Sequence, residues 1–275
     1  MQKLLRHLLL ASIAALLPAT AAAFRVDTIS VSEPRLLDNP MPALVAVPDA
    51  AADTSLRFPT VYLLHGYGGD HTNWLAKQPR IGELADRYGI VVVTPGAGNT
   101  WYFDAPGKPG QQVETFFIEA LVPYIDANYP TIDSRAKRAI SGLSMGGHGA
   151  LRMATRHPQI FGAAASMSGG VDIRPFENRW GIKDIIGTRQ SNPAAWDNAT
   201  VAGMIPQIKE AGLAILFDCG VDDFFADVNN SLHSAMVEAG IPHDYISRPG
   251  NHSWKYWGNS VLYHLLFFNE FFSRQ

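Results

Sequence analysis

The chain has 275 residues, 47% hydrophobic and 11% aromatic, which suffices to bury a large core in one α/β domain. Its formal net charge of −3 and the lack of any Lys/Arg-rich run exclude the basic footprint of a nucleic-acid-binding protein. A single cysteine, Cys219, rules out an intrachain disulfide, and no ligand spacing such as H-E-x-x-H occurs, so neither a catalytic metal nor another cofactor is expected.

The N-terminus reads as an export signal. Lys3 and Arg6 precede an apolar stretch from Leu8 to Leu17, and Ala21-Ala22-Ala23 offers a small-residue cleavage site before Phe24. This pattern predicts a signal peptide over 1–23, cut after Ala23, and a secreted or periplasmic mature chain of 24–275 forming a single domain. The stretch is short for a bilayer span and is broken by Pro18, so stable membrane insertion is not expected. Residues 26–47 supply edge strands, interrupted by Pro34, Pro40 and Pro42. Apolar, β-branched runs then predict strands at 60–64, 90–94, 139–141, 163–168, 213–217 and 244–247. Helical stretches fall between them at 81–88, 113–128, 146–157 (stopped by Pro158) and 229–239, the last ended by Gly240. Strands alternating with helices predict a mostly parallel central sheet covered on both faces. Residues 171–203, irregular and rich in Asn, Arg, Trp and Pro, are read as a small partial cap.

The chemistry concentrates at Gly142-Leu143-Ser144-Met145-Gly146, between a strand and a helix. A sharp turn there strains the serine backbone and exposes its hydroxyl beside a helix N-terminus, while flanking glycines avoid side-chain clashes. A serine hydroxyl needs a base, and the base needs a carboxylate to fix its tautomer. Both follow in the order Ser, acid, His. The strand at 213–217 runs into Asp218-Cys219-Gly220-Val221-Asp222-Asp223, and that at 244–247 into Pro249-Gly250-Asn251-His252. Spacing alone does not choose among Asp218, Asp222 and Asp223. An acyl-transfer intermediate also needs two N–H donors for its oxyanion. One is the backbone N–H of Met145; the other lies in His65-Gly66-Tyr67-Gly68-Gly69, after the strand at 60–64. A phosphate loop is excluded, since Walker and G-x-G-x-x-G spacings are missing. Aromatic residues in loops, Trp101, Tyr102, Trp180 and Trp254, are expected to line an apolar substrate pocket, whereas Trp257 is assigned to the core. Cys219, at a strand end, reads as a buried, inert thiol. His65 supports the oxyanion loop, and the remaining histidines show no partner pattern.

Four segments together carry a resemblance: Val61-Tyr62-Leu63-Leu64-His65-Gly66, Gly142-Leu143-Ser144-Met145-Gly146-Gly147, Cys219-Gly220-Val221-Asp222-Asp223-Phe224, and His252-Ser253-Trp254 followed by Tyr256-Trp257. Across nearly the whole mature chain the sequence resembles the esterase D-like, or putative esterase, family of α/β-hydrolases. Its members include tributyrin-type, feruloyl and acetyl-xylan esterases, S-formylglutathione hydrolases and the antigen 85 mycolyltransferases. The resemblance implies the α/β-hydrolase fold, Asp223 as the acid and Tyr67 as the second oxyanion donor. Glu114, at a helix start, resembles a Glu common there in the family, and equally suits a helix first turn. The implied activity is a serine carboxylesterase acting on short-chain or aromatic acyl esters, small or polysaccharide-linked. Alternatives are an acyltransferase of the antigen 85 type and a non-catalytic carbohydrate- or surface-binding relative. Retention of every triad member argues against the last.

Overall fold

A strand that is apolar at every position must be covered on both faces, which is the condition inside a parallel sheet. The computed structural model describes residues 24–274, and the signal peptide expected over 1–23 lies outside them. Eight strands form one sheet: β1 (Phe24–Val31), β2 (Met41–Pro48), β3 (Thr60–Leu64), β4 (Val91–Pro95), β5 (Arg138–Gly142), β6 (Ala163–Met167), β7 (Ala214–Gly220) and β8 (Asp244–Arg248). Their order is β1-β2-β4-β3-β5-β6-β7-β8. Only β1 and β2 run antiparallel to their neighbours; every later pairing is parallel. The two antiparallel strands are the edge strands expected in 26–47. The mostly parallel sheet is that of an α/β-hydrolase fold.

The helices are α1 (Asn73–Lys77), α2 (Arg80–Tyr88), α3 (Val113–Phe116), α4 (Val122–Asn128), α5 (Met145–Arg156), α6 (Ile182–Ile186), α7 (Pro193–Ala199), α8 (Ile205–Ala211), α9 (Ala226–Glu238) and α10 (Trp254–Ser273). Alternate strand residues sort the core into two layers. Tyr62, Leu64, Ile140 and Phe217 face α4, α5 and α9, whereas Val61, Leu63, Ala139 and Leu216 face α2 and α10. Among the described residues, no helix is long and apolar enough to cross a membrane.

Sequence and structure differ in several elements, three of which bear on the site and its support. The helix expected over 113–128 contains a π-helical stretch, Phe117–Leu121, just before Pro123. Proline has no N–H to donate and crowds the carbonyl four residues back, so the helix widens there. Strand β7 runs on through Asp218, Cys219 and Gly220, beyond the expected end at 217. The third difference is α10, which the strand-and-turn pattern did not predict. Its buried Trp257, Val261, Leu265, Phe268 and Phe272 recur at helical spacing and close one face of the sheet.

Glu114 does more than suit a helix dipole. It is 3% exposed and joins α3 to α5 through Arg152 (2.6 Å), Arg156 (2.6 Å) and His157 Nε2 (2.9 Å). Burial opposes its ionisation, but the His157 hydrogen bond and the two guanidinium groups outweigh that and bring its pKa to about 2. A depressed carboxylate pKa stabilises the fold above the unfolded value near 4.5, and that contribution is lost as pH falls toward about 2. Glu114→Gln is therefore expected to lower unfolding stability by roughly 3 kcal/mol at pH 7. The gap between wild type and variant should shrink between pH 4.5 and 2, as read by denaturant unfolding across that range. A gap independent of pH would show that Glu114 acts through packing alone.

Candidate active site

In a parallel sheet the strand order reverses once, and the loops leaving the carboxyl ends on either side of that reversal open a crevice. Here the chain moves from β3 outward to β4 and then returns to place β5 on the other side of β3. The register sets Leu64 beside Gly142, so the loops starting at His65 and Leu143 leave the sheet together.

Ser144 sits between β5 and α5 with φ 55° and ψ −117°, a conformation that strains any residue with a side chain. Its N–H donates to the Met167 carbonyl (2.9 Å), and its own carbonyl accepts from His148 N–H (3.0 Å). The glycines on either side are required by contact. A Cβ on Gly142 would lie 2.5 Å from the Gly146 backbone, and one on Gly146 would lie 2.6 Å from the carbonyl oxygens of Leu64 and His65. No side chain fits there.

His252 Nε2 lies 2.9 Å from Ser144 Oγ, and Nδ1 lies 2.8 Å and 3.0 Å from the two Asp223 oxygens. With a carboxylate accepting at Nδ1, the proton resides there, which leaves Nε2 bare to accept from the serine hydroxyl. Asp223 Oδ1 also accepts from Phe225 N–H (2.9 Å), so the carboxylate is fixed from its own loop. Backbone bonds tie the two loops: Val221 N–H to Arg248 O (3.1 Å) and Asp222 N–H to Gly250 O (2.9 Å).

The three carboxylates that spacing left tied occupy three environments. The Asp223 side chain is fully buried against His252. Asp218 is fully buried on β7 and pairs with Arg248 Nη2 (2.8 Å). Asp222 is exposed. Cys219 is buried, and burial pushes its thiol pKa up, as expected of an inert thiol.

The loop after β3 is held by His65. The Ala97 N–H donates to His65 Nε2 (3.1 Å), so Nδ1 carries the ring proton and donates it to the Gly66 carbonyl (2.8 Å). Burial keeps the His65 pKa below the ordinary histidine value, against that hydrogen bond. The Gly66 carbonyl also accepts from Gly69 N–H (3.0 Å). In a trans peptide the C=O and the following N–H point in opposite directions, so the Tyr67 N–H is turned away from His65. Neither Tyr67 N–H nor Met145 N–H has an acceptor among the described backbone hydrogen bonds. Gly66 packs close to the serine, where an added Cβ would lie 3.4 Å from Ser144 Cβ.

Ser144 and His252 open into a cavity of about 360 Å³, walled by Tyr67, Trp180, Phe224, Trp254 and Trp257 and by Asn73. The His252 ring is flanked by Phe224 (4.2 Å between centroids) and Trp257 (4.8 Å). Of the four aromatics expected in a pocket, Trp180 and Trp254 line this cavity. Trp101 and Tyr102 do not; each is 1% exposed. Their polar sequence neighbours suggested a loop surface, but positive φ values of 55° and 58° turn both rings into the core. Trp257, assigned to the core, is mostly buried yet also reaches the cavity wall. Phe224 and Asn73 were not singled out; the position of Phe224 beside Asp223 was the available signal. A larger groove of about 720 Å³ runs between β8 and α10, but no serine or histidine lines it. Among the described residues, no three His, Cys, Asp or Glu side chains converge as a metal site would require.

The family model described as "Putative esterase" matches residues 35–268. An acetyl esterase of Caldicellulosiruptor saccharolyticus is 28% identical over 221 residues, covering 74% of this chain and 80% of that protein. An esterase of Mycobacterium tuberculosis is 27% identical over 237 residues, covering 77% of this chain, which spans about half of it (52%). A solved ferulic acid esterase superposes with a TM-score of 0.77 at 29% identity, covering 92% of this chain and all of the other. With the family model spanning most of its length, the chain belongs to the putative esterase family and is an ester hydrolase.

Proposed function

We propose that the protein is an exported serine carboxylesterase working through Ser144, His252 and Asp223. The observation that carries this reading is the unbroken relay from Ser144 Oγ to His252 to Asp223 at the mouth of an aromatic cavity. His252 Nε2 takes the Ser144 proton as Oγ attacks the ester carbonyl, and Asp223 stabilises the resulting imidazolium. The N–H groups of Met145 and Tyr67 receive the oxyanion. Collapse of the intermediate, with His252 protonating the leaving alkoxide, gives the acyl-enzyme. Water activated by the same histidine then releases the acid. Residues 24–275 act as one catalytic domain, in which 171–203 form a partial cap that brings Trp180 over the serine. The aromatic walls suit short-chain or aromatic acyl groups.

Replacing Ser144 with Ala should leave a folded protein whose hydrolysis of a nitrophenyl ester falls about 10⁴-fold or more. A variant keeping a tenth of wild-type turnover would overturn the nucleophile assignment.

Asp223→Asn should cost on the order of 10³- to 10⁴-fold in kcat, because the wrong His252 tautomer becomes stable. Asp222→Asn should stay within about twofold, since that side chain is exposed. Equal losses, or the reverse ranking, in variants of matched thermal stability would exclude Asp223 as the orienting acid.

Trp180→Ala removes one cavity wall and about 1 kcal/mol of apolar contact with a bulky substrate. The expected reading is a several-fold lower kcat/KM for aromatic esters with acetyl esters affected much less. Equal loss on both would mean that Trp180 supports the site without contacting the acyl group.

A further inference from the structure

Five residues other than glycine have positive φ among those described: Trp101, Tyr102, Ser144, Ser168 and Trp180. Such conformations persist only where the surroundings over-determine them, and they gather at sites where geometry matters. Trp101 and Tyr102 are consecutive, and bulky aromatic residues rarely take the left-handed region at all. Neither lines the cavity. Something other than substrate contact therefore holds them in this conformation.

Their hydrogen bonds show what they span. Trp101 Nε1 donates to the Trp180 carbonyl (3.2 Å), and Tyr102 Oη donates to the His65 carbonyl (3.1 Å). Trp180 is a wall of the cavity, and His65 is the residue whose ring fixes the Gly66 carbonyl. The rings repeat the connection: Trp101 lies 6.1 Å from Trp180, and Tyr102 lies 5.9 Å from His65, between centroids. Tyr102 is wedged against α5, where a Cβ on Gly149 would meet its ring at 2.7 Å. Trp101 packs edge-on to the buried His148 of the same helix (5.4 Å). The pair is thus pinned to the nucleophile helix and reaches outward in two directions.

We propose that Trp101 and Tyr102 form a rigid strap that positions the Tyr67 N–H donor and couples it to the cavity wall at Trp180. The path is short. Trp180 is tied to Trp101, Tyr102 holds the His65 carbonyl, and His65 Nδ1–H holds the Gly66 carbonyl. The Gly66 carbonyl and the Tyr67 N–H share one peptide plane, so fixing one orients the other. An oxyanion donor stabilises the transition state only if it is oriented before charge develops. Tyr102 and Trp101 are accordingly positioning residues, and their effect belongs to kcat. This inference rests on the esterase reading above.

The test uses Tyr102→Phe, which deletes the donor to His65 and keeps the ring, and Trp101→Phe, which deletes the donor to Trp180. Labelling with a fluorophosphonate to completion counts the competent active sites, so loss of folded protein is removed from every rate. Per labelled site, Tyr102→Phe should lower kcat about 10- to 100-fold with KM within about twofold, equally on acetyl and feruloyl esters. Affinity for a trifluoromethyl ketone, whose serine adduct carries the oxyanion, should fall by a similar factor. Trp101→Phe should show a smaller loss of the same kind. Should Tyr102→Phe fail to fold, Trp101→Phe carries the same readout. The strap is overturned if kcat per site is unchanged, or if KM rises for feruloyl esters alone, which would mark a substrate contact. If the wild-type protein is not labelled at Ser144, the esterase reading itself fails, whatever the variants do.

Discussion

Everything at the candidate site depends on one close approach, that of the first turn of α5 to the ends of β3 and β5. Gly146 lies so near the Leu64 and His65 carbonyl oxygens that no side chain fits, and Gly142 meets the Gly146 backbone in the same way. This contact drives the chain from strand into helix within two residues, Leu143 and Ser144. Ser144 takes up the turn in a strained conformation, and the strain puts its hydroxyl outside the sheet. The Met145 N–H is left at the helix start, where an N–H has no intrahelical partner. The proposed nucleophile and one of its proposed oxyanion donors thus follow from a single packing constraint.

The partners of the serine are brought in by a polar network buried on the opposite, α10 side of the sheet. Ser141 Oγ on β5 is 2.8 Å from His264 Nδ1 on α10, and His264 Nε2 faces Asp218 on β7 at 3.7 Å. Asp218 pairs with Arg248 on β8, which also bonds Ser260 on α10 and lies over the Tyr256 ring (4.5 Å). Each of these strands ends a few residues before a member of the relay: β5 before Ser144, β7 before Asp223, β8 before His252. Buried ionic groups add little net stability because desolvation offsets their attraction, but their directionality favours one register over its alternatives. Apolar packing alone would tolerate small sliding of these elements, and a relay built on bonds of 2.8–2.9 Å would not.

What could be read in advance follows from how local each signal is. The central strands were legible because continuous β-branched runs such as Val91-Val92-Val93 have few other uses in a chain of this kind. The serine turn was legible because glycine on both sides of a strand-to-helix junction encodes the contact directly. Asp223 could not be separated from Asp218 and Asp222 by residue spacing, and the resemblance singled it out. In the structure their surroundings differ: Asp223 faces His252, Asp218 is equally buried but pairs with Arg248, and Asp222 is exposed. Helix α10 is harder to read because the aromatic residues beside His252 fit loop or core equally well, and its helical periodicity becomes plain only over the full segment. Trp101 and Tyr102 misled for a different reason. Their neighbours are polar, and nothing local announces two successive left-handed residues.

Where local propensity and tertiary structure agree, the sequence can be read segment by segment; where they conflict, the conformation is held from outside the segment. Ser144, Ser168, Trp101, Tyr102 and Trp180 are all held against their preferences. Ser168 follows β6 and donates its N–H to the Asp218 carbonyl (2.7 Å), while the Gly170 N–H reaches back toward the Ser144 carbonyl (3.4 Å). Strained positions therefore ring the serine on the loops leaving β4, β5 and β6 and in the segment carrying Trp180. A fold that sought stability alone would relax them with glycine or asparagine at each position. Keeping side chains there costs about 1–3 kcal/mol apiece. The large buried core of two packed layers offsets that cost, and four of the five side chains so retained are the proposed nucleophile, a cavity wall and the proposed strap between them.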